Sequence, residues 1–148
     1  MIEPDVALTD FLLTFECAVF AALLWRRGKT HPAVRPWFVL FFAATALSSL
    51  TGGLVHGFFL DADSLTYRAL WPVTLFGIVI ASLAAWNAGV RMLFSGRTAV
   101  ATMRAAVVAA CGFAFAVLIG IQEFWIAILA YLPASLLLFA AFLKAAMR

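Results

Sequence analysis

Glu16 is the residue whose position most needs a chemical explanation. It lies near the middle of the apolar run 6–25, where Thr14 and Cys17 are its only mildly polar neighbours. An acid in the centre of a bilayer costs about 3 kcal/mol or more to insert, so it normally faces a partner or a cavity. The position predicts either a protonated carboxyl that holds helices together by hydrogen bonding, or a proton carrier, cation ligand or acid–base catalyst.

A second polar group lies in the apolar run 37–60. Its members follow helical spacing: Thr45, Ser49, Gly52 and His56. Residues at this spacing share one face of a helix, and that face either packs closely against another helix or lines a polar pocket. His56 is within about a turn of the end of the run, where it is either an interfacial hydrogen-bonding residue or a ligand or base.

Candidate residues from three apolar runs are expected at similar depths below the membrane surface. Counting about 1.5 Å per helical residue from the outer surface places Glu16, Thr51 and Tyr131 at similar depths, with His56 one turn above. The sequence therefore predicts an outward-facing pocket. Its candidate ligand-binding residues are Glu16, Ser49, Thr51, His56 and Tyr131. Glu16 and His56 are also the candidate metal ligands, although a carboxylate, one histidine and hydroxyl groups suit zinc poorly.

The composition defines the environment of the chain. Of its 148 residues, 66% are hydrophobic and 11% are charged, whereas soluble domains are about 45–50% apolar and about 25% charged. So few charges cannot cover a water-soluble surface, so the solvent for most of the chain is lipid. The basic residues lie at the ends of apolar runs rather than in one patch, which excludes a nucleic-acid-binding face.

The apolar runs predict an all-α integral membrane protein, a bundle of five transmembrane helices in one domain, 1–148. The predicted spans are about 6–25, 37–60, 70–93, 105–121 and 124–143, each close to the length that a bilayer requires. Thr9 or Asp10 is expected to cap the first helix. Pro72 is expected in the first turn of the third helix, where its missing N–H costs nothing, and residues 94–104 are expected to form a linker.

The charges outside the spans predict the orientation. Nine of the ten Lys and Arg residues fall on one side of the predicted membrane, and the acids outside the spans fall on the other. By the positive-inside rule, the N-terminus is outside and the C-terminus is cytoplasmic. The Arg-over-Lys and Ala-rich usage is typical of a GC-rich bacterium, so the predicted location is a bacterial inner (plasma) membrane.

Small residues predict close helix packing on two spans. Gly53 and Gly57 form a GxxxG pattern, and Gly77 and Ala81 begin a small-residue stripe. Such residues let helix backbones approach one another inside a membrane. These faces are therefore expected to pack neighbouring helices, or to bind a second copy of the chain or another membrane protein.

Two resemblances add to these inferences. Thr9–Leu13 with Glu16, then Trp37–Phe38 and Gly52–Phe59, is similar to a group of small uncharacterised bacterial multi-pass membrane proteins. A serine and His56 on one second-span helix more distantly resemble the alkaline ceramidase and progestin/adipoQ receptor superfamily, which are seven-span zinc-dependent amide hydrolases. That family needs further histidines in a late span, and this chain has none after His56, so no catalytic role is carried over.

Three functions remain open from the sequence. The first is binding or transport of a small ligand, proton or cation in the predicted pocket, and the second is a structural or assembly subunit of a membrane complex. The third is an intramembrane lipid or amide hydrolase. No nucleophile, base and orienting group is recognisable, so an enzyme is the least favoured of the three, and the sequence identifies no cofactor.

Overall fold

The computed structural model of the protein describes residues 2–27 and 31–147. The elements are α1 (Pro4–Arg26), α2 (Arg35–Phe58), α3 (Leu65–Leu93), α4 (Gly96–Leu118) and α5 (Phe124–Ala146). No strand occurs in these two ranges. All five helices are long and apolar enough to cross a membrane, which confirms the all-helical class and the five apolar helices that the sequence predicts.

The central helix is α3, which packs against α2, α4 and α5 and carries the largest group of buried residues. Helix α2 lies between α1 and α3, while α4 and α5 also touch one another. Among the described helices, α1 packs along α2 alone. Because α1 and α5 do not meet, a cleft remains between them, and α2 and α3 form its floor.

Small and hydroxyl side chains join α2 to α3. The Ser48 hydroxyl donates a hydrogen bond of 2.8 Å to the carbonyl oxygen of Thr74, and the hydroxyls of Thr51 and Thr74 are also 2.8 Å apart. Gly77 lets the helices come this close, since a Cβ atom there would lie 2.7 Å from Cβ of Ser48. The Gly77 face is therefore used for packing within the chain.

The GxxxG face of α2 packs against α1. A Cβ atom at Gly53 would lie 3.0 Å from the ring of Phe11 and 3.1 Å from Cβ of Asp10. One turn further on, the backbone N–H of Ile2 donates to the carbonyl oxygen of Gly57 at 3.0 Å. Gly53, Gly57 and Gly77 therefore make close helix contacts within the chain.

Two helices begin earlier than the sequence predicts. Helix α3 starts at Leu65 because the Ser64 side chain caps it, accepting a hydrogen bond of 3.2 Å from the Tyr67 N–H. Pro72 therefore lies inside the helix, and its expected place in the first turn was wrong. Helix α4 starts at Gly96, so most of the predicted linker 94–104 is helical. Hydropathy marks where a helix becomes apolar, which is not where it begins.

The start of α1 also differs from the expectation. The helix begins at Pro4, and its N-cap is Glu3. The Thr9 hydroxyl donates to the carbonyl oxygen of Asp5 at 2.8 Å, inside the helix. Neither Thr9 nor Asp10 is a cap, and Asp10 instead lies well inside α1, where its side chain reaches the cleft.

Candidate functional site

The cleft between α1 and α5 contains a cavity of about 660 Å³. Helices α2 and α3 supply its floor, and its lining is mostly apolar. The polar residues that line it are Asp10, Thr45, Ser48, Ser49, His56, Thr74, Tyr131 and Ser135. Small-molecule sites are typically mostly apolar cavities of about 300–1,000 Å³ with a few convergent polar groups, so this is the candidate site.

Three of the five predicted ligand-binding residues line this cavity, namely Ser49, His56 and Tyr131. Thr51 does not, because it is buried at the contact between α2 and α3. There its hydroxyl is hydrogen-bonded to that of Thr74, so Thr51 stabilises the contact between the two helices that form the cavity floor.

Glu16 also lies outside the cavity. Helix α1 contributes Val6, Asp10 and Leu13 to the lining, whereas Glu16 is exposed. At about 100° per residue, Glu16 is rotated by about 60° from Leu13 and about 120° from Asp10. Predicted depths that differ by only one turn therefore do not bring Glu16 and His56 together.

Asp10 is the acid that lines the cavity, and sequence reasoning missed it. A Cβ atom at Gly52 would lie 3.2 Å from Oδ2 of Asp10, so the missing side chain makes room for the carboxylate. Within the described residues the carboxylate accepts no hydrogen bond, and its electrostatic partner is His56. The helical spacing of Val6, Asp10 and Leu13, following a proline at position 4, was the signal that could have found it.

His56 is held at one end of the cavity by the N-terminal residues. Its Nδ1 atom lies 2.6 Å from Oε2 of Glu3, and the Glu3 N–H donates to the His56 carbonyl oxygen at 3.0 Å. A carboxylate only accepts hydrogen bonds, so Nδ1 carries the proton. This leaves Nε2 as the ring nitrogen available to a ligand.

Trp71 closes the same end of the cavity from α3. Its indole N–H donates to the carbonyl oxygen of Gln122 at 2.9 Å, which ties α3 to the connection between α4 and α5. Its ring stacks on Tyr67 with the centroids 5.8 Å apart, and the Phe124 centroid lies 6.3 Å away. The His56 ring is nearly perpendicular to it, with the centroids 6.1 Å apart. The rim at this end of the cavity is therefore aromatic and fixed in orientation.

The deeper end of the cavity lies against α5. The Ser135 hydroxyl donates to the carbonyl oxygen of Tyr131 at 3.0 Å, and the Tyr131 ring lies 6.4 Å from that of Phe41. Counting about 1.5 Å per residue, Ser135 is about 17 Å from the start of α5. The cavity thus extends through roughly half of the helix length.

The described residues contain no group of three or more His, Cys, Asp or Glu side chains able to hold a metal ion. The two predicted metal ligands are apart, since Glu16 is exposed and His56 is paired with Glu3.

A family model matches residues 6–148, and its description is a family of unknown function (DUF6962). The chain belongs to the DUF6962 family. This agrees with the resemblance to an uncharacterised group. A search of curated proteins and a search of solved structures each gave no match.

Disulfide crosslinking in this DUF6962 chain distinguishes the two acids of α1. Asp10→Cys with Gly52→Cys is expected to crosslink readily, because a Cβ atom at Gly52 would lie 3.9 Å from Cγ of Asp10. A cysteine sulfur would take the place of that Cγ atom, so the two thiols would be neighbours. Glu16→Cys with His56→Cys is expected to stay reduced. Both pairs are made without the two native cysteines, and maleimide labelling of remaining thiols gives the readout. The opposite pattern would mean that α1 is rotated relative to α2.

Proposed function

We propose that this protein spans a bacterial inner membrane five times and binds a small ligand in an outward-facing pocket between α1 and α5. The observation that carries the proposal is the cavity itself. Apolar walls from α1 and α5 meet there with Asp10, Ser49 and His56, and such convergence of a few polar groups in an apolar cavity is typical of a binding site.

The orientation of the pocket follows from the distribution of charge. The N-terminus is outside and the C-terminus cytoplasmic, because nine of the ten Lys and Arg residues fall by sequence on the side of the membrane opposite Glu3 and His56. The rim made by the Glu3–His56 pair and Trp71 therefore faces the outside.

Binding is favoured over transport and over catalysis. A transport path must cross the membrane, whereas this cavity extends only from His56 to about the level of Ser135. Catalysis by Ser49 would need a base in hydrogen-bond contact. Among the described residues, no side chain, His56 included, makes a hydrogen bond with the Ser49 hydroxyl.

Assembly into a membrane complex is a second candidate function, and Glu16 favours it. The residue is exposed near the middle of α1, among exposed apolar side chains such as Leu12 and Phe15. A carboxyl in that position needs a polar partner. Within the described part of the chain, no hydrogen bond or ion pair engages Glu16.

Filling the cavity tests the proposed binding function. Ser49→Phe places a ring on the cavity floor, while Leu50→Phe is the matched control on the exposed side of the same helix. Native mass spectrometry of protein extracted mildly from its membrane is expected to show a bound small molecule in the wild type and in Leu50→Phe. The molecule is expected to be absent from Ser49→Phe, with helicity by circular dichroism unchanged. A wild type without any bound molecule would contradict the proposal.

A further inference from the structure

We infer that the ligand is an amphiphile whose protonated amine pairs with Asp10 and whose apolar tail lies in the cleft between α1 and α5. This inference rests on the proposed binding function and names the chemical class of the ligand.

The carboxylate of Asp10 determines which kind of headgroup the cavity can bind. Asp10 is half-buried, borders the cavity and accepts no hydrogen bond from the described residues. A carboxylate removed from water needs a counter-charge or donors. The protein supplies neither in full, because the ring of His56 is directed to Glu3. The unmet requirement at Asp10 is therefore for a cation or a strong donor.

The protonation state of His56 does not change the sign of this requirement. With a neutral imidazole, Glu3 and Asp10 leave two negative charges at the outer end of the cavity. With an imidazolium, Glu3 at 2.6 Å balances the histidine, and Asp10 still leaves one negative charge. The site thus attracts a cation in either state.

The groups near Asp10 favour an alkylammonium ion as the cation. Ser49 lies one helical turn from Gly52, and Gly52 makes room for the Asp10 carboxylate. Among the described residues, the Ser49 hydroxyl makes no hydrogen bond. An alkylammonium group carries three N–H donors, enough for the carboxylate and this hydroxyl together. The aromatic rings of Trp71 and Phe124 border the same cavity, and aromatic faces attract such cations.

The apolar walls of the cleft can bind the hydrocarbon tail of the ligand. Val6 and Leu13 on α1 face Ile128 and Leu132 on α5 across the cleft, and each is more than a third exposed. The two helices do not pack against one another, so the cavity opens sideways where hydrocarbon tails would lie in a membrane. An apolar chain can therefore lie along this seam with its headgroup at Asp10.

The experiment compares probes that share a tail or share an amine. Purified wild-type protein in maltoside micelles is titrated with hexadecylamine, hexadecanol and ethanolamine, and bound fractions are measured by native mass spectrometry. Hexadecylamine is expected to bind at least about tenfold more tightly than hexadecanol, and ethanolamine is expected not to bind. Phosphatidylethanolamine and phosphatidylglycerol with identical chains form the second arm. Preference for phosphatidylethanolamine identifies a lipid headgroup as the source, and preference for hexadecylamine alone identifies a phosphate-free amine.

The variants assign the amine preference to one carboxylate. Asp10→Asn keeps the side-chain shape and is expected to lower the affinity for hexadecylamine by about tenfold, with the affinity for hexadecanol unchanged. Asp5→Asn, on the exposed side of the same helix, makes the same change in charge and is expected to leave both affinities at the wild-type value. Retained hexadecanol binding also reports that the Asp10 variant is folded.

The possible failures are distinguishable. If wild-type protein binds hexadecylamine and hexadecanol equally, the pocket binds amphiphiles and the amine inference alone is overturned. If it binds no amphiphile and carries no molecule from its membrane, the proposed function fails as well. An amine preference that survives Asp10→Asn also overturns the inference.

Discussion

Replacing Gly77 with alanine is expected to lower the free energy of unfolding by about 1–3 kcal/mol. The added Cβ atom would lie 2.7 Å from Cβ and 3.1 Å from Cα of Ser48. Ser48 cannot turn away, because it is buried and its hydroxyl is bonded to the Thr74 carbonyl oxygen. The backbones of α2 and α3 must therefore separate, which stretches the hydrogen bond between Thr51 and Thr74 and opens the cavity floor.

Gly112→Ala is the matched control for this substitution. A Cβ atom at Gly112, in the exposed part of α4, meets no atom within 4 Å. Alanine is favoured over glycine inside a helix by about 0.5–1 kcal/mol, so this variant is expected to equal or exceed the wild type. Thermal unfolding in detergent, followed by circular dichroism, gives the comparison. A Gly77→Ala variant as stable as Gly112→Ala would contradict the close contact at Ser48.

The number of helices was predictable because each helix contains one long apolar run. A span requires about 20 apolar residues, and the chain offers five such runs. The starts of the helices were less predictable, since polar caps set them. Ser64 starts α3 before the chain becomes apolar, and α4 runs through Arg97 and Arg104 before its apolar part.

The candidate site was predictable along one helix and not between helices. Thr45, Ser49, Gly52 and His56 all line the cavity, because positions on one helix fix their relative direction. Which side of α1 faces them depends on the rotation of that helix about its own axis, and counting residues gives depth alone.

Two close contacts set that rotation. Gly52 leaves space for the Asp10 carboxylate, and Gly53 leaves space for Phe11. Because two adjacent glycines on α2 receive two adjacent side chains of α1, Asp10 is directed to the cavity and Glu16 to the exposed side. Both glycines are visible in the sequence, but the α1 side chains that pack against them are not.

Replacing Trp71 with alanine is expected to lower the free energy of unfolding by about 3–5 kcal/mol. The indole is 8% exposed, stacks on Tyr67 and packs beside Phe124. Its N–H also holds the Gln122 carbonyl oxygen. Losing the ring removes the packing that joins α3 to the start of α5, so the aromatic rim of the cavity is expected to loosen along with the fold.

Two further tryptophan variants separate the causes. Trp71→Phe keeps an aromatic ring and removes the hydrogen bond to Gln122, so a loss of about 1 kcal/mol is expected. Trp125→Ala removes an indole that is 54% exposed and donates only to the Glu123 carboxylate, so a change within about 0.5 kcal/mol is expected. Urea or thermal unfolding in detergent measures all three. If Trp71→Ala and Trp125→Ala lose equal stability, Trp71 does not join α3 to α5, and the aromatic rim must be held by other contacts.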